Sequence, residues 1–209
     1  MTHRVFARAG IARRASNIFP MNVYDFDNTI LRGDSTARFF AWCLLRAPRM
    51  WPDVPGQIGN AALFLLKKRE KQAFKERMLS FLSRVDVDRE LARFWEKNLP
   101  RVKAFYRERH REDDVVISAS PEFLIRPACA ALGIKHVLGS PVDKYTGRFS
   151  GPNCHGAEKV RRFRAAFPGG AIDEFYSDSY SDQPLADLAR RAFLVRGDEI
   201  LAWDAKKRR

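Results

Sequence analysis

The sequence has few cysteines, and it lacks any long hydrophobic run. Its three cysteines, Cys43, Cys129 and Cys154, are an odd number at wide spacing, which argues against both a disulfide framework and a zinc cluster. The longest apolar run, 61–66, is far shorter than the ~18 residues that a membrane span requires. We therefore expect no transmembrane helix, and the reducing cytoplasm is the compartment that fits best.

Acidic residues are absent from the first twenty positions, where four arginines stand without a counter-charge. This segment has no apolar stretch of the length of about 7–15 residues that a secretory signal needs, and it is only loosely like a transit peptide. We interpret residues 1–20 as a basic N-terminal extension without fixed structure. Met21 directly precedes the first strand-like run and is an alternative start.

Basic residues outnumber acidic residues by 38 to 25, which gives a net charge of +13. Four of these charges are the arginines of residues 1–20 and four form a basic tail at 206–209, so +5 remains for residues 21–205. The charge favours an anionic partner such as a phosphorylated metabolite or an acidic lipid. Nucleic acid is not expected, because no recognised binding module or basic stripe with interleaved aromatics accompanies the charge.

The 209 residues, with 45% hydrophobic and 30% charged, support one packed core with an inserted subdomain. Between residues 35 and 110, apolar residues recur at three- and four-residue steps, which predicts about four amphipathic helices. Outside that segment, strands are predicted at 22–26, 115–118, 135–139, 171–176 and 192–195, helices at 121–132, 158–167 and 184–191, and a small hairpin at 145–149. Their alternation predicts an α/β fold with a parallel sheet and helices on both faces.

Two aspartates, Asp25 and Asp27, follow the first predicted strand. Close carboxylates repel, so they are tolerated when a divalent cation neutralises them or when one is protonated for acid–base work. Oxygen ligands without nearby histidine or cysteine indicate Mg²⁺ rather than zinc. The alternative is a solvated turn without a catalytic role.

Further polar residues stand at the ends of later predicted strands. Because ligands of parallel sheets bind beyond the carboxyl ends of the strands, Asp25, Ser118 and Asp178 should converge. Helix capping is the simpler explanation for Ser118 and for Asp182 when each is taken alone. Lys159 stands near a predicted helix start, where the helix dipole disfavours a cation, so it is a candidate to face an anion, although lysines of surface helices are usually solvated.

The order of Asp25-Phe26-Asp27-Asn28-Thr29, Ser118, Lys159 and Asp178 with Asp182 resembles the four motifs of the haloacid dehalogenase (HAD) superfamily, in its phosphoserine phosphatase-like subfamily IB. The resemblance spans residues 21 to about 203. It implies a Rossmann-like, doubly wound α/β core at 21–33 and 113–205, with an inserted α-helical cap of the C1 type at 34–112.

The resemblance also implies a Mg²⁺-dependent phosphatase that hydrolyses a small phosphomonoester through an aspartyl-phosphate. Asp25 would be the nucleophile, and Asp27 the acid and base that serves the leaving oxygen and then the water. Mg²⁺ would be held by the Asp25 and Asp178 carboxylates and the Asp27 backbone carbonyl. Ser118 and Lys159 would bind the phosphoryl oxygens, and Asp182 would orient Lys159 or a metal-bound water.

The substrate and the type of phosphoryl-transfer reaction stay open at this point. A phosphotransferase would use the same residues, whereas Asp27 disfavours dehalogenation, which needs no acid. Phosphoserine phosphatases have a glutamate where Asp34 stands, which weakens a phosphoserine assignment, and Asp34 is also a helix N-cap candidate. Arg77 resembles the cap arginine that meets the substrate carboxylate, although solvated helix arginines are commoner.

Two alternatives follow from other features. Residues 175–203 are similar to bacterial phosphatidylglycerophosphate phosphatases, which opens a lipid phosphate as substrate. The apolar stretch 61–66 is flanked by Lys67, Lys68 and Arg69 and suits peripheral contact with an anionic membrane, but we expect it to pack within the cap. The alternative from another class is a non-catalytic basic binding protein on a HAD scaffold, which the intact motifs disfavour. The oligomeric state is not indicated.

Overall fold

The computed structural model describes residues 20–67 and 70–204 of the chain. The predicted N-terminal extension lies outside the described residues apart from Pro20, and the predicted basic tail at 206–209 lies outside them as well. The predicted boundaries of the core and the cap stay predictions.

A six-stranded sheet forms the centre of the molecule. Its strands are β1 (Met21–Tyr24), β2 (Val115–Pro121), β3 (His136–Ser140), β4 (Ile172–Ser177), β5 (Ala189–Arg196) and β6 (Glu199–Ala202). Their order across the sheet is β3-β2-β1-β4-β5-β6, with the first five parallel and β6 antiparallel to β5. The predicted α/β fold with a doubly wound parallel sheet is confirmed, and β6 is an addition that the sequence reading did not include.

Eight α-helices surround the sheet in the described residues. They are α1 (Ser35–Arg46), α2 (Val54–Leu65), α3 (Lys71–Leu79), α4 (Val87–Asn98), α5 (Ala104–Arg109), α6 (Glu122–Ala131), α7 (Ala157–Ala166) and α8 (Gln183–Ala186). Helices α1 to α5 lie between β1 and β2, and we call residues 35–109 the helical insert. Short 3-10 helices at Pro48–Asp53, Ser80–Arg84 and Leu99–Arg101 join them, so the insert has more segments than the four predicted.

One local prediction was wrong. The helix predicted at 184–191 ends at Ala186, because Ala189 already pairs with Ile172 as the first residue of β5. The small hairpin predicted at 145–149 is present but begins earlier, with Val142 and Phe149 in an antiparallel bridge and the Asp143 N–H donating to the Arg148 carbonyl at 2.9 Å.

Both faces of the sheet are buried, as the nearly continuous apolar runs of its strands require. On one face, Val23 and Phe175 pack with Phe163 of α7 and Leu185 of α8. On the other face, the Tyr24 ring stacks on Tyr176 at 4.8 Å between centroids, within a cluster that includes side chains of the helical insert and α6. Alternation along the strands thus buries one set of side chains against each helical layer.

Aromatic side chains of the helical insert extend the cluster on this second face of the sheet. Phe39 of α1 meets Phe94 of α4 edge to face at 5.3 Å between centroids, and Trp95 Nε1 donates to the Leu124 carbonyl of α6 at 2.7 Å. The apolar stretch 61–66 is not part of this core: Ala61 and Phe64 are half-buried, and the other four residues are exposed. The expectation that this stretch packs within the cap was therefore wrong for most of it.

Candidate active site

The loop that leaves β1 places two carboxylates at the carboxyl edge of the sheet. The Asp25 N–H donates to the Tyr176 carbonyl at 2.8 Å, so the β1–β4 pairing holds Asp25 in place. A tight turn follows, in which the Ile30 N–H donates to the Phe26 carbonyl at 2.9 Å and Asn28 adopts φ of +56°. Asparagine accepts this left-handed conformation more readily than most residues. Asp25 is buried, and Asp27 is half-buried.

Lys159 joins carboxylates from two different strand ends. Its Nζ donates to Asp25 Oδ1 at 2.8 Å and to Asp182 Oδ2 at 2.6 Å, and the side chain is only 2% exposed. Burial alone would lower the pKa of Lys159, but the attraction of Asp25 and Asp182 is greater, so the pKa is raised and the side chain stays charged. The unfavourable position of Lys159 in the first turn of α7 is thereby explained.

Asp182 and Asp178 lie beyond the end of β4. Ser177 Oγ donates to Asp182 Oδ2 at 2.8 Å, while Asp182 Oδ1 is buried without a hydrogen-bond partner within the described chain. The Asp178 N–H donates to Thr29 Oγ1 at 2.9 Å, which ties this loop to the β1 turn. Burial, followed by the negative charge of Asp182, raises the pKa of Asp178. A nearby cation would relieve both effects.

Asp27 is held by two serines that sequence reasoning missed. Its Oδ1 accepts the Ser35 N–H at 2.8 Å, and its Oδ2 accepts a short hydrogen bond from Ser120 Oγ. Burial, followed by the charge of Asp34, raises the pKa of Asp27, which favours its protonated form. The available signals were the Ser118-Ala119-Ser120 repeat, which puts two hydroxyls on one side of a strand end, and the serine that opens α1.

Ser118 is the central residue of β2, directly after Ile117, where the regular pairing with β3 ends, and it is 1% exposed. Its Oγ accepts the Ser120 N–H at 3.1 Å, so its hydroxyl proton is left to donate elsewhere. Both serines line the same cavity as the aspartates.

A cavity of about 440 Å³ brings the separate groups together. Six residues named from the sequence line it, from three strand ends and the start of α7, and Asp34 lines it as well. The full set of these is Asp25, Asp27, Asp34, Ser118, Lys159, Asp178 and Asp182.

Residues 23–187 match the family model described as haloacid dehalogenase-like hydrolase. The chain belongs to this hydrolase family.

Individual relatives support the assignment of this HAD hydrolase at different levels. A histidinol-phosphatase of Neisseria meningitidis is 30% identical over 46% of this chain and 49% of its own length. A phosphoserine phosphatase of Mycobacterium tuberculosis is 26% identical over 88% of this chain and 67% of its own length. The chain therefore spans about half of the first relative's length and two thirds of the second's.

The fold of the HAD hydrolase has a counterpart among solved structures. A crystal structure of a protein of unknown function from Bordetella pertussis Tohama I superposes with a TM-score of 0.71 at 20% identity, covering 83% of this chain and 88% of that chain. At this identity the match shows the fold alone.

The donor set of the HAD hydrolase fits Mg²⁺. Among the residues that the structure describes, no three acidic, histidine or cysteine side chains form a metal site by themselves. Mg²⁺ does not need such a cage, since it keeps several waters and commonly takes only one or two carboxylates. Asp25 and Asp178 supply those, and the aspartates lining the cavity outnumber its two lysines, Lys75 and Lys159, so a divalent cation held there would offset the excess of negative charge.

The two specificity candidates have different positions. Asp34 lines the cavity of the HAD hydrolase, and its Oδ1 accepts the Ala37 N–H at 2.8 Å, so it is the N-cap of α1, while a role in substrate specificity stays a prediction. Arg77 is exposed and does not line the cavity; its guanidinium lies on the side of α3 that faces Gly56. The residue of α3 that reaches the cavity with a cation is Lys75, which sequence reasoning missed.

Proposed function

We propose that the protein is a Mg²⁺-dependent phosphatase that hydrolyses a phosphomonoester through an aspartyl-phosphate on Asp25. The observation that carries the proposal is the buried contact of Lys159 with Asp25 and Asp182 in the same cavity as Asp27, Ser118 and Asp178. Family membership and the phosphatase relatives support the same chemistry.

In the first half-reaction, an Asp25 carboxylate oxygen forms a bond to phosphorus while the bond to the substrate's alcohol oxygen breaks. Asp27, protonated, gives its proton to the departing oxygen, so that an alcohol leaves rather than an alkoxide. In the second half-reaction, Asp27 accepts a proton from water as the water attacks the phosphorus, which frees Asp25 and releases phosphate. The Ser35 and Ser120 hydrogen bonds keep the Asp27 carboxyl group oriented for both transfers.

Lys159 and Ser118 bind the non-bridging phosphoryl oxygens. Two of the three Lys159 ammonium protons already bond Asp25 and Asp182, which leaves one for the phosphoryl group. The Ser118 hydroxyl supplies a second donor. Bound Mg²⁺ would screen the repulsion between the Asp25 carboxylate and the phosphate dianion, with Asp25, Asp178 and the Asp27 carbonyl as its protein ligands. Asp182 orients Lys159.

The proposal is tested by p-nitrophenyl phosphate turnover with Mg²⁺ and with EDTA, for the wild type and Asp25→Asn. We expect metal-dependent turnover that the substitution abolishes. Asp88→Asn is a matched control, because Asp88 is an exposed aspartate that pairs with Lys144 away from the cavity. Absence of metal-dependent turnover, or undiminished turnover by Asp25→Asn, would favour a non-catalytic basic binding protein instead.

A lipid phosphate is the second candidate substrate, and the walls of the cavity favour it. Phe64, Phe74 and Met78 from the helical insert line the same cavity as the carboxylates. A panel of phosphoserine, phosphocholine and phosphatidylglycerophosphate separates small substrates from lipid ones.

The cytoplasmic location is proposed as well, since Cys43, Cys129 and Cys154 are all free and buried.

A further inference from the structure

The outward face of α2 is entirely apolar. Ile58 is 65% exposed and Leu65 is 79% exposed, although both are large hydrophobic side chains. No exposed residue of α2 has a polar side chain, and neither does Leu66 directly after it. The exposed residues are Pro55, Gly56, Ile58, Gly59, Ala62, Leu63, Leu65 and Leu66. A helix that faces water normally presents charged and polar residues on this side.

The polar residues of α2 face inward instead. Gln57 Nε2 donates to the Arg77 carbonyl at 2.9 Å, and Asn60 Nδ2 donates to the Phe74 carbonyl at 3.1 Å. Asn60 is only 3% exposed. The helix is therefore inverted relative to a water-facing surface helix: polar groups attach it to α3, and apolar groups are presented outward.

Two more exposed apolar residues precede α2 in the chain. Leu45 at the end of α1 is 81% exposed, and Trp51 in the following 3-10 helix is 61% exposed. Within the described chain, eight large hydrophobic residues are exposed, and six of them belong to residues 45–66. We call these six the apolar face; they are Leu45, Trp51, Ile58, Leu63, Leu65 and Leu66. Such a concentration is typical of an interaction surface rather than of scattered surface residues.

The charge around the apolar face indicates what kind of partner binds it. Residues 35–67 contain four basic residues and a single acid, Asp53, which already pairs with Arg84 at 2.7 Å. Arg46, Arg49 and Lys67 are exposed, and each lies within two residues of a member of the face in the chain. A second copy of the chain would bring the same positive charges together, whereas anionic lipid headgroups would neutralise them.

We propose that the apolar face binds the surface of an anionic lipid bilayer. The 12 residues of α2 extend about 18 Å, less than the hydrocarbon thickness of about 30 Å, so the helix lies along the interface with its apolar side in the lipid. Among the described residues, no helix meets the length and hydropathy needed to cross a membrane.

Membrane binding would also position the candidate active site. Phe64 on the inner side of α2 lines the cavity and stacks on Phe74 at 4.4 Å between ring centroids. One helix therefore separates the lipid from the cavity, which places the cavity close to the headgroups. Access to membrane-borne phosphomonoesters rests on the proposed function, but binding to the bilayer does not.

The test is co-sedimentation of the full chain with phosphatidylcholine vesicles that contain or lack phosphatidylglycerol. We expect binding to the vesicles with phosphatidylglycerol. High salt should weaken this binding, because it screens the charges of Arg46, Arg49 and Lys67. The double variant Ile58→Glu, Leu65→Glu should lower the partition coefficient by about 100-fold, since each side chain loses the gain of apolar burial. Leu201→Glu is the matched control, because Leu201 is 43% exposed on β6, outside the helical insert, and should bind as the wild type does.

Two measurements separate the possible failures. Turnover of p-nitrophenyl phosphate should be unchanged in the double variant, and Asp25→Asn should bind vesicles normally, so loss of the catalytic proposal would leave the membrane proposal standing. The proposal is overturned if the wild type ignores phosphatidylglycerol vesicles or if the double variant binds them as well as the wild type. It is also overturned if sedimentation velocity shows a wild-type dimer that the double variant converts to monomer, since a second copy would then cover the face.

Discussion

The floor of the cavity, at the strand ends, consists of charged and hydroxyl side chains that hydrogen-bond to one another, whereas the wall from the helical insert is largely apolar. On the floor, Lys159 is fixed by Asp25 and Asp182, and Asp27 by two serines. On the wall, Phe64 and Phe74 meet only through a ring stack. The hydrogen bonds of the floor hold its charged groups in one geometry, whereas the wall contributes mainly apolar surface.

Lys75 makes one of the polar connections between the two sides. Lys75 of α3 donates to the Ala119 carbonyl at 2.8 Å and to Asn153 Oδ1 at 3.0 Å, both in the core. The insert is thereby tied to the floor next to Ser118. Changes on the floor should therefore affect the chemical step, and changes on the wall should affect substrate binding.

The largest effect is expected for Lys159→Met. The substitution leaves two buried carboxylates without their cation, so we expect a loss of about 3 kcal/mol in the free energy of unfolding and about a 10³-fold fall in kcat. Urea unfolding and steady-state kinetics with p-nitrophenyl phosphate measure the two. Lys144→Met is the control, because that lysine makes an exposed ion pair with Asp88. If Lys159→Met were as active and stable as this control, the floor would not depend on its buried charge network.

The next effect concerns the orientation of Asp27. Ser120→Ala removes the hydroxyl that donates to Asp27 Oδ2, and we expect kcat to fall by about 10–100-fold with little change in KM. The fall should be larger for an alkyl phosphate than for p-nitrophenyl phosphate, whose leaving group needs little protonation.

Ser83→Ala is the matched control for that experiment, since the Ser83 hydroxyl donates to the Ser80 carbonyl on the exposed surface of the insert. An equal loss with both substrates would contradict the role of Ser120 in proton transfer and would indicate a general disturbance of the site.

The floor and the wall of the cavity could be predicted from the sequence to different extents. The floor could be predicted because the carboxyl ends of parallel strands meet at one edge of the sheet. Asp25, Ser118 and Asp178 were therefore expected to lie close together. Their catalytic roles remain predictions. Ser120 was missed because its function lies in a contact with Asp27 from another strand, and the spacing of Ser118 and Ser120 does not by itself identify that partner.

The wall was harder to predict because a helical face depends on the rotation of each helix. Arg77 and Lys75 are two positions apart on α3, and only the packed arrangement shows that Lys75 lines the cavity. The inversion of α2 was hidden for the same reason: a mostly apolar sequence does not tell which of its sides is covered. Paired β-strands constrain side-chain direction more strongly than an isolated helical pattern does.

Lys75 and Arg77 offer a matched pair for testing the wall. We expect Lys75→Met to raise KM by about tenfold, because it removes a charge-assisted tie between the insert and the core. Arg77→Met should leave KM unchanged, since Arg77 is exposed and outside the cavity. Steady-state kinetics of both variants measure the difference. A raised KM in Arg77→Met alone would restore Arg77 as the specificity residue.

An effect as small as that of Lys75→Met is expected at the ring stack. Phe74→Ala removes one face of the apolar wall, so kcat/KM for an apolar phosphomonoester should fall by about tenfold, through lost burial of the substrate's chain. Turnover of a small substrate such as phosphocholine should change little, because its phosphoryl group is held by the floor. Comparing the two substrates within one variant cancels any general loss of folded protein. If both fell equally, the wall would stabilise the fold of the insert rather than select substrates, and the functional division between floor and wall would be wrong.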